Sequence, residues 1–123
     1  MGIDIKKITT VLDEFVTGTN DVQGASIVTP DGLALASSLP SGMDEERVAA
    51  MSAAMLSLGE RIGKELARGT IAQIYVEGET GYGVLTSCTD DAVFLVLASK
   101  AVKQGLLMLE IKRALGELIP AMG

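Results

Sequence analysis

Residues 48–59, Val-Ala-Ala-Met-Ser-Ala-Ala-Met-Leu-Ser-Leu-Gly, form a helix-favouring run without one charged side chain. A surface helix with a single buried face keeps charge on the other, so a run this bare has two surfaces to hide. At about 100° per residue from Val48, the large side chains Val48, Met51, Met55, Leu58, Ile62 and Leu66 gather on one stripe. Ala49, Ser52, Leu56, Gly59, Gly63 and Ala67 gather on the neighbouring stripe. The large stripe is expected to face a sheet or core. The small stripe is expected to admit a second helix at close range. In a chain of 123 residues, that second helix is expected to come from another copy.

A chain of this length suits one domain, spanning residues 1–123, with a core of its own and no linker. Lys and Arg number 10 against 16 Asp and Glu, and aromatic residues make up 3%, which provides poorly for phosphate neutralisation or base stacking. Nucleic acid is therefore not an expected partner. The lone Cys88 excludes an intramolecular disulfide, and Met-Gly-Ile-Asp-Ile-Lys-Lys lacks the apolar core of a signal peptide. A cytoplasmic location is the expectation. Every apolar stretch is interrupted before the roughly 20 residues of a membrane span, so direct membrane insertion is not expected. Lys6 stands where an acylation signal beginning Met1-Gly2 needs Ser or Thr.

Ile5, Ile8, Leu12, Phe15 and Val16 recur at helical spacing after Asp4, a candidate N-cap, and Gly18-Thr19-Asn20-Asp21 ends the pattern. Val22 to Thr29 and Leu33 to Ser37 read as a hairpin around Pro30-Asp31-Gly32. Asp44-Glu45-Glu46 opens the long second helix and complements its dipole, and Arg68-Gly69 closes it. Ile71 to Glu77, Tyr82 to Thr89 and Ala92 to Ser99 read as a meander. The last of these is apolar at nearly every position and is expected to be central and covered on both faces. The half-polar strand from Ile71 to Glu77 is expected at an edge, open to pairing. Gln104, Leu107, Met108, Ile111, Leu115 and Leu118 form the buried stripe of a third helix that Pro120 ends. The expected order is α-β-β-α-β-β-β-α.

Candidate chemistry is sparse. Histidine, the commonest general base and metal ligand, does not occur. Cys88 sits among hydroxyls and acids that would not activate a thiol, and reads as a strand-buried packing residue. Gly63-Lys64 lacks the spacing and the Ser/Thr of a phosphate loop, and Gly81-Tyr82-Gly83 precedes a strand where a dinucleotide fingerprint requires a helix. Asp90-Asp91 reads as a hairpin turn. No metal or cofactor site follows from these residues. On the third helix Val102, Leu106 and Leu109 lie opposite Leu107, Ile111 and Leu118, beside Arg113. That extra apolar surface is either covered by the first helix or is a docking patch.

The element order, the segment Val28-Thr29-Pro30-Asp31-Gly32-Leu33-Ala34-Leu35-Ala36-Ser37 and the strand Asp90-Asp91-Ala92-Val93-Phe94-Leu95-Val96-Leu97-Ala98 resemble the Roadblock family. So does the last helix, Gln104-Gly105-Leu106-Leu107-Met108-Leu109-Glu110-Ile111-Lys112-Arg113-Ala114. The family includes dynein light chains and regulators of Ras-like GTPases. The resemblance implies an α+β, profilin-like fold: a five-stranded antiparallel sheet with the long helix on one face and the terminal helices on the other. It also implies pairing through the long helix and the third strand. Carried over by position, the dimer-forming residues are Ala49, Ser52, Leu56, Gly59 and Gly63, with Ile74 and Tyr75 from the edge strand. The outer faces of the paired long helices then form a shared platform for a partner, holding Ala50, Ala53, Ser57, Arg61 and Lys64.

The implied function is that of a non-catalytic homodimer binding a Ras-like small GTPase and modulating its cycle. A scaffold for other Roadblock-type or motor-associated proteins is the alternative, followed by a small-ligand sensor and an enzyme built on Cys88. Ending at Pro120-Ala121-Met122-Gly123, the sequence lacks the longer tails of some family regulators, so the expectation of GTPase binding stands ahead of that of activation.

Overall fold

A computed structural model describes residues 2–123. The first helix, α1 (Ile5–Gly18), starts where the Asp4 carboxylate accepts from the Lys7 amide at 3.0 Å, and it buries Ile8, Val11, Leu12 and Phe15. The hairpin strands β1 (Val22–Val28) and β2 (Ala34–Ser38) are joined through a turn that Gly32 enters at a φ of 94°. A side chain at that φ would be strained.

Helix α2 (Glu45–Glu65) is capped by Asp44, which accepts from the Glu46 amide at 3.0 Å. Its other end is closed by the amides of Arg68 and Gly69, which both donate to the Gly63 carbonyl. Strands β3 (Gln73–Glu77), β4 (Gly81–Thr89) and β5 (Ala92–Ser99) form the meander, and α3 (Gln104–Ala121) follows. Pro120 lies inside the last turn of α3, where the sequence had it as the terminator. Its ring removes the N–H that would donate to the Gly116 carbonyl, and the helix runs only one residue further.

All pairings are antiparallel, in the order β2-β1-β5-β4-β3. Central β5 is covered on both faces, as its apolar run requires. Phe94, Val96 and Ala98 pack with α1 and α3, with Phe15 tilted against Phe94 at 5.4 Å between ring centroids. Val93, Leu95 and Leu97 pack on the other face with Val48, Ala49 and Leu56 of α2. The fold is thus the three-layer α+β arrangement that the Roadblock resemblance implied. Gln104, expected in the buried stripe of α3, is exposed.

The rotation of α2 reverses the reading of its two stripes. Ala49, Ser52, Leu56 and Gly63 face the sheet together with Val48, while Met51, Leu58, Ile62 and Leu66 face outward. The bulk comes from the sheet instead. A Cβ at Gly59 would stand 2.5 Å from Ile74 Cδ1, and one at Gly63 would stand 2.6 Å from the Gly69 carbonyl oxygen and 2.7 Å from Ile71 Cδ1. Small helix residues do permit a close approach, but the approaching element is the chain's own edge strand with the loop leading into it.

Candidate functional site: the exposed stripe of α2 and the β3 edge

Helix α2 carries an apolar surface without a partner among the described residues. Leu58 and Leu66 are 61% and 62% exposed, and Met51 and Ile62 are also largely open. Fully burying each such side chain contributes roughly 1.5–3 kcal/mol, so four together form a strong drive to associate. The stripe has a defined aspect. Leu56 and Glu60, on the opposite flank of α2, line a hollow with Pro30, Ser87, Asp90 and Val93 at the β4–β5 turn end of the sheet. The large stripe therefore lies on the flank of α2 turned away from that hollow.

Beneath it lies β3, at one edge of the sheet. Ile74 packs under Gly59, and by strand alternation Val76 points to the same side, where it is half exposed. Tyr75 points to the opposite face, its hydroxyl against the Met108 sulfur. The two sheet edges differ. At the β2 edge the pairing with β1 is interrupted by a register shift near Val28, and such an irregularity discourages further pairing. β3 pairs with β4 in unbroken register from Gln73 to Glu77, and its outer backbone groups are free among the described residues.

These observations correct the dimer-forming assignment. Ala49, Ser52, Leu56 and Gly63 are buried against the chain's own sheet, Gly59 is partly covered by Ile74, and Ser52 donates to the Val48 carbonyl at 2.8 Å. No second copy can reach these side chains without displacing the sheet. Ile74 and Tyr75 remain on the open edge through their backbone. The residues missed were Met51, Leu58, Ile62 and Leu66, visible as a stripe and assigned to the core because they are large, and Val76.

Of the expected partner face, Ala50, Ser57, Arg61 and Lys64 are exposed and Ala53 is half-buried. The missing charge at Ala50 and Ala53 has a local cause. A Cβ at Gly32 would stand 3.8 Å from both the Ala50 Cα and the Ala53 Cβ, so the hairpin turn lies over this part of α2. Arg61 pairs with Glu65 at 3.2 Å across one helical turn, both well exposed. Cys88 is half-buried with its sulfur 3.7 Å from that of Met122, and burial pushes its thiol up to about 11. At neutral pH that disfavours the thiolate a nucleophile needs. Among the described residues no helix is long and apolar enough to cross a membrane, and no group of three metal-ligating side chains occurs.

Comparison with known proteins places this architecture. Residues 8–98 match the model of the Roadblock/LC7 domain, so the chain belongs to the Roadblock/LC7 family. A protein of Methanocaldococcus jannaschii described as uncharacterised is 36% identical over 104 residues, covering 85% of this chain and 90% of its own. Among solved structures, Myxococcus xanthus MglB superposes with a TM-score of 0.88 at 21% identity, covering 95% of this chain and 88% of that one. The gliding protein MglB of Thermus thermophilus does so with a TM-score of 0.84 at 17% identity, over 99% and 93%. Profilin IA of Acanthamoeba castellanii shares the fold, with a TM-score of 0.65 at 17% identity, over 91% and 96%.

Proposed function

We propose that this chain is a homodimeric, non-catalytic regulator that binds a Ras-like small GTPase in the cytoplasm. The observation that carries the self-association is the exposed stripe Met51, Leu58, Ile62 and Leu66 above an unprotected β3 edge. In the proposed dimer the two stripes cover each other and the two β3 edges, with Ile74 and Tyr75, extend one sheet into the next. Membership of the Roadblock/LC7 family and likeness to a gliding protein support a regulatory role over substrate chemistry. So does a Cys88 thiol held protonated by burial.

The partner face proposed for the GTPase is the side of α2 bearing Ser57, Arg61 and Lys64, continued by Ala50, Ala53 and the hairpin turn at Gly32. Two cations there, in a chain of net charge −6, offer electrostatic complementarity to an acidic patch. Calorimetry against GTP-loaded and GDP-loaded Ras-like GTPases tests this. The proposal expects nucleotide-dependent binding that Arg61→Glu weakens at least tenfold without changing the dimer. Nucleotide-independent binding, or binding untouched by Arg61→Glu and Lys64→Glu together, would leave the scaffold reading in its place.

A further inference from the structure

Four parts of the chain converge at one end of the molecule: Ile3 ahead of α1, the first hairpin at Thr29 and Leu35, the β4–β5 turn from Thr89 to Ala92, and the end of α3 from Ile119. Between them opens a hollow of about 550 Å³. Small-molecule sites occupy roughly 300–1,000 Å³, and like them this one is walled by several elements at once. The Asp4 amide donates to the Ala121 carbonyl at 2.8 Å, which ties the residues before α1 to the end of α3.

The lining has two chemistries. Leu35 and Met122 are half-buried, while Ile3 and Ile119 keep 45% and 44% of their surface exposed beside the hollow, apolar area that an occupant would cover. Asp90 and Asp91 are the only charged side chains of the lining, and neither carboxylate has a hydrogen-bond or ion-pair partner among the described residues. The other polar groups are engaged within their own turns. The Thr89 hydroxyl accepts from the Asp91 amide at 3.2 Å, and the Thr29 hydroxyl donates to the Asp31 carboxylate. Asp90 also borders the hollow beside α2, where Glu60 adds a further negative charge. The cations nearest in sequence, Lys6 and Lys7, are exposed on α1 and line no part of it. An anion is repelled here, and a wholly apolar guest leaves two carboxylates unpaired at its side. An aliphatic body with a cationic head satisfies both halves of the lining.

We infer that this hollow binds a small organic ammonium ion, its aliphatic chain between Ile3, Leu35, Ile119 and Met122 and its N–H donors on Asp91 and Asp90. None of these residues belongs to the α2 stripe, the β3 edge or the proposed GTPase face, so the inference stands apart from the proposed dimer and partner.

The test titrates hexylammonium and octylammonium, with octanol and octanoate as controls, into the isotope-labelled protein and follows backbone amide shifts. Both ammonium ions are expected to shift residues 3, 29–35, 89–92 and 119–123. Octylammonium should bind about tenfold more tightly than hexylammonium, as two further buried methylenes require. Octanol should bind at least tenfold more weakly than octylammonium, and octanoate not at all. The double variant Asp90→Asn, Asp91→Asn should weaken octylammonium at least tenfold and Ile3→Ser at least threefold, each with unchanged circular dichroism. No shift at millimolar octylammonium, equal binding of octanol, shifts confined to α2, or full affinity in the double variant would overturn the inference. So would a leucine- and lysine-containing peptide that displaces octylammonium at a lower concentration, since the occupant would then be a partner segment.

Discussion

Gly59 and Gly63 lie one helical turn apart on α2, and what stands opposite each gives them different tolerances. The group nearest a Cβ at Gly59 is the free end of the Ile74 side chain, which can rotate away. At Gly63 it is the backbone carbonyl of Gly69, fixed by the loop whose amides Gly63 itself holds. Alanine gains about 1 kcal/mol over glycine inside a helix. Gly59→Ala is therefore expected to be nearly neutral in urea unfolding at fixed protein concentration. Gly63→Ala is expected to destabilise by about 1–3 kcal/mol through overpacking. Cys88 provides a second test at this scale. Burial raises its folded pKa from 9.0 to about 11, so the folded state holds the proton more tightly than the unfolded chain does. The stabilisation is fully present below pH 9.0 and is lost as pH rises towards about 11. Over that window the stability of the native chain should fall more steeply than that of Cys88→Ala, measured by urea unfolding at successive pH values.

At the scale of elements, the edges of the sheet are not equivalent, and self-association should follow that difference. Lysine on an edge strand opposes pairing with another chain. Val76→Lys on β3 is expected to raise the dimer dissociation constant at least tenfold in sedimentation equilibrium, whereas Ser38→Lys on β2 should leave it within about twofold. The element order was legible because its signals are local: Asp4 and Asp44 cap their helices, Gly32 turns the hairpin, and the apolar run from Ala92 marks a strand buried on both sides. The rotation of α2 was not legible, because it depends on groups distant in sequence. Ile71 and Ile74 fill the space above the sheet, so the helix presents its small residues to them and turns its large ones out. Size alone misassigns such a helix. The signal for the opposite assignment is the complementarity of the small stripe to Ile71 and Ile74. Leu106 and Leu109 of α3, both exposed, were visible as surplus apolar residues, but whether α1 covered them depended on where the two helices meet.

For the whole molecule, the proposed dimer rests on one surface: a helix that fits its own sheet through small residues and leaves its large ones exposed. The three-layer fold gives each sheet face a separate role, with α1 and α3 closing the larger core on one side and α2 covering the other. The proposed dimer joins two such units without disturbing either core, because Leu58 and Ile62 contribute little to the single chain. Placing a charge there should therefore break association and spare the fold. The direct measurement is light scattering coupled to size exclusion on the native chain and on the double variant Leu58→Asp, Ile62→Asp, with circular dichroism of both. The account predicts twice the chain mass for the native protein, and a single-chain mass with an unchanged helix signal for the variant. A native chain that stays single at high micromolar concentration, or a double variant that remains a well-folded dimer, would contradict it.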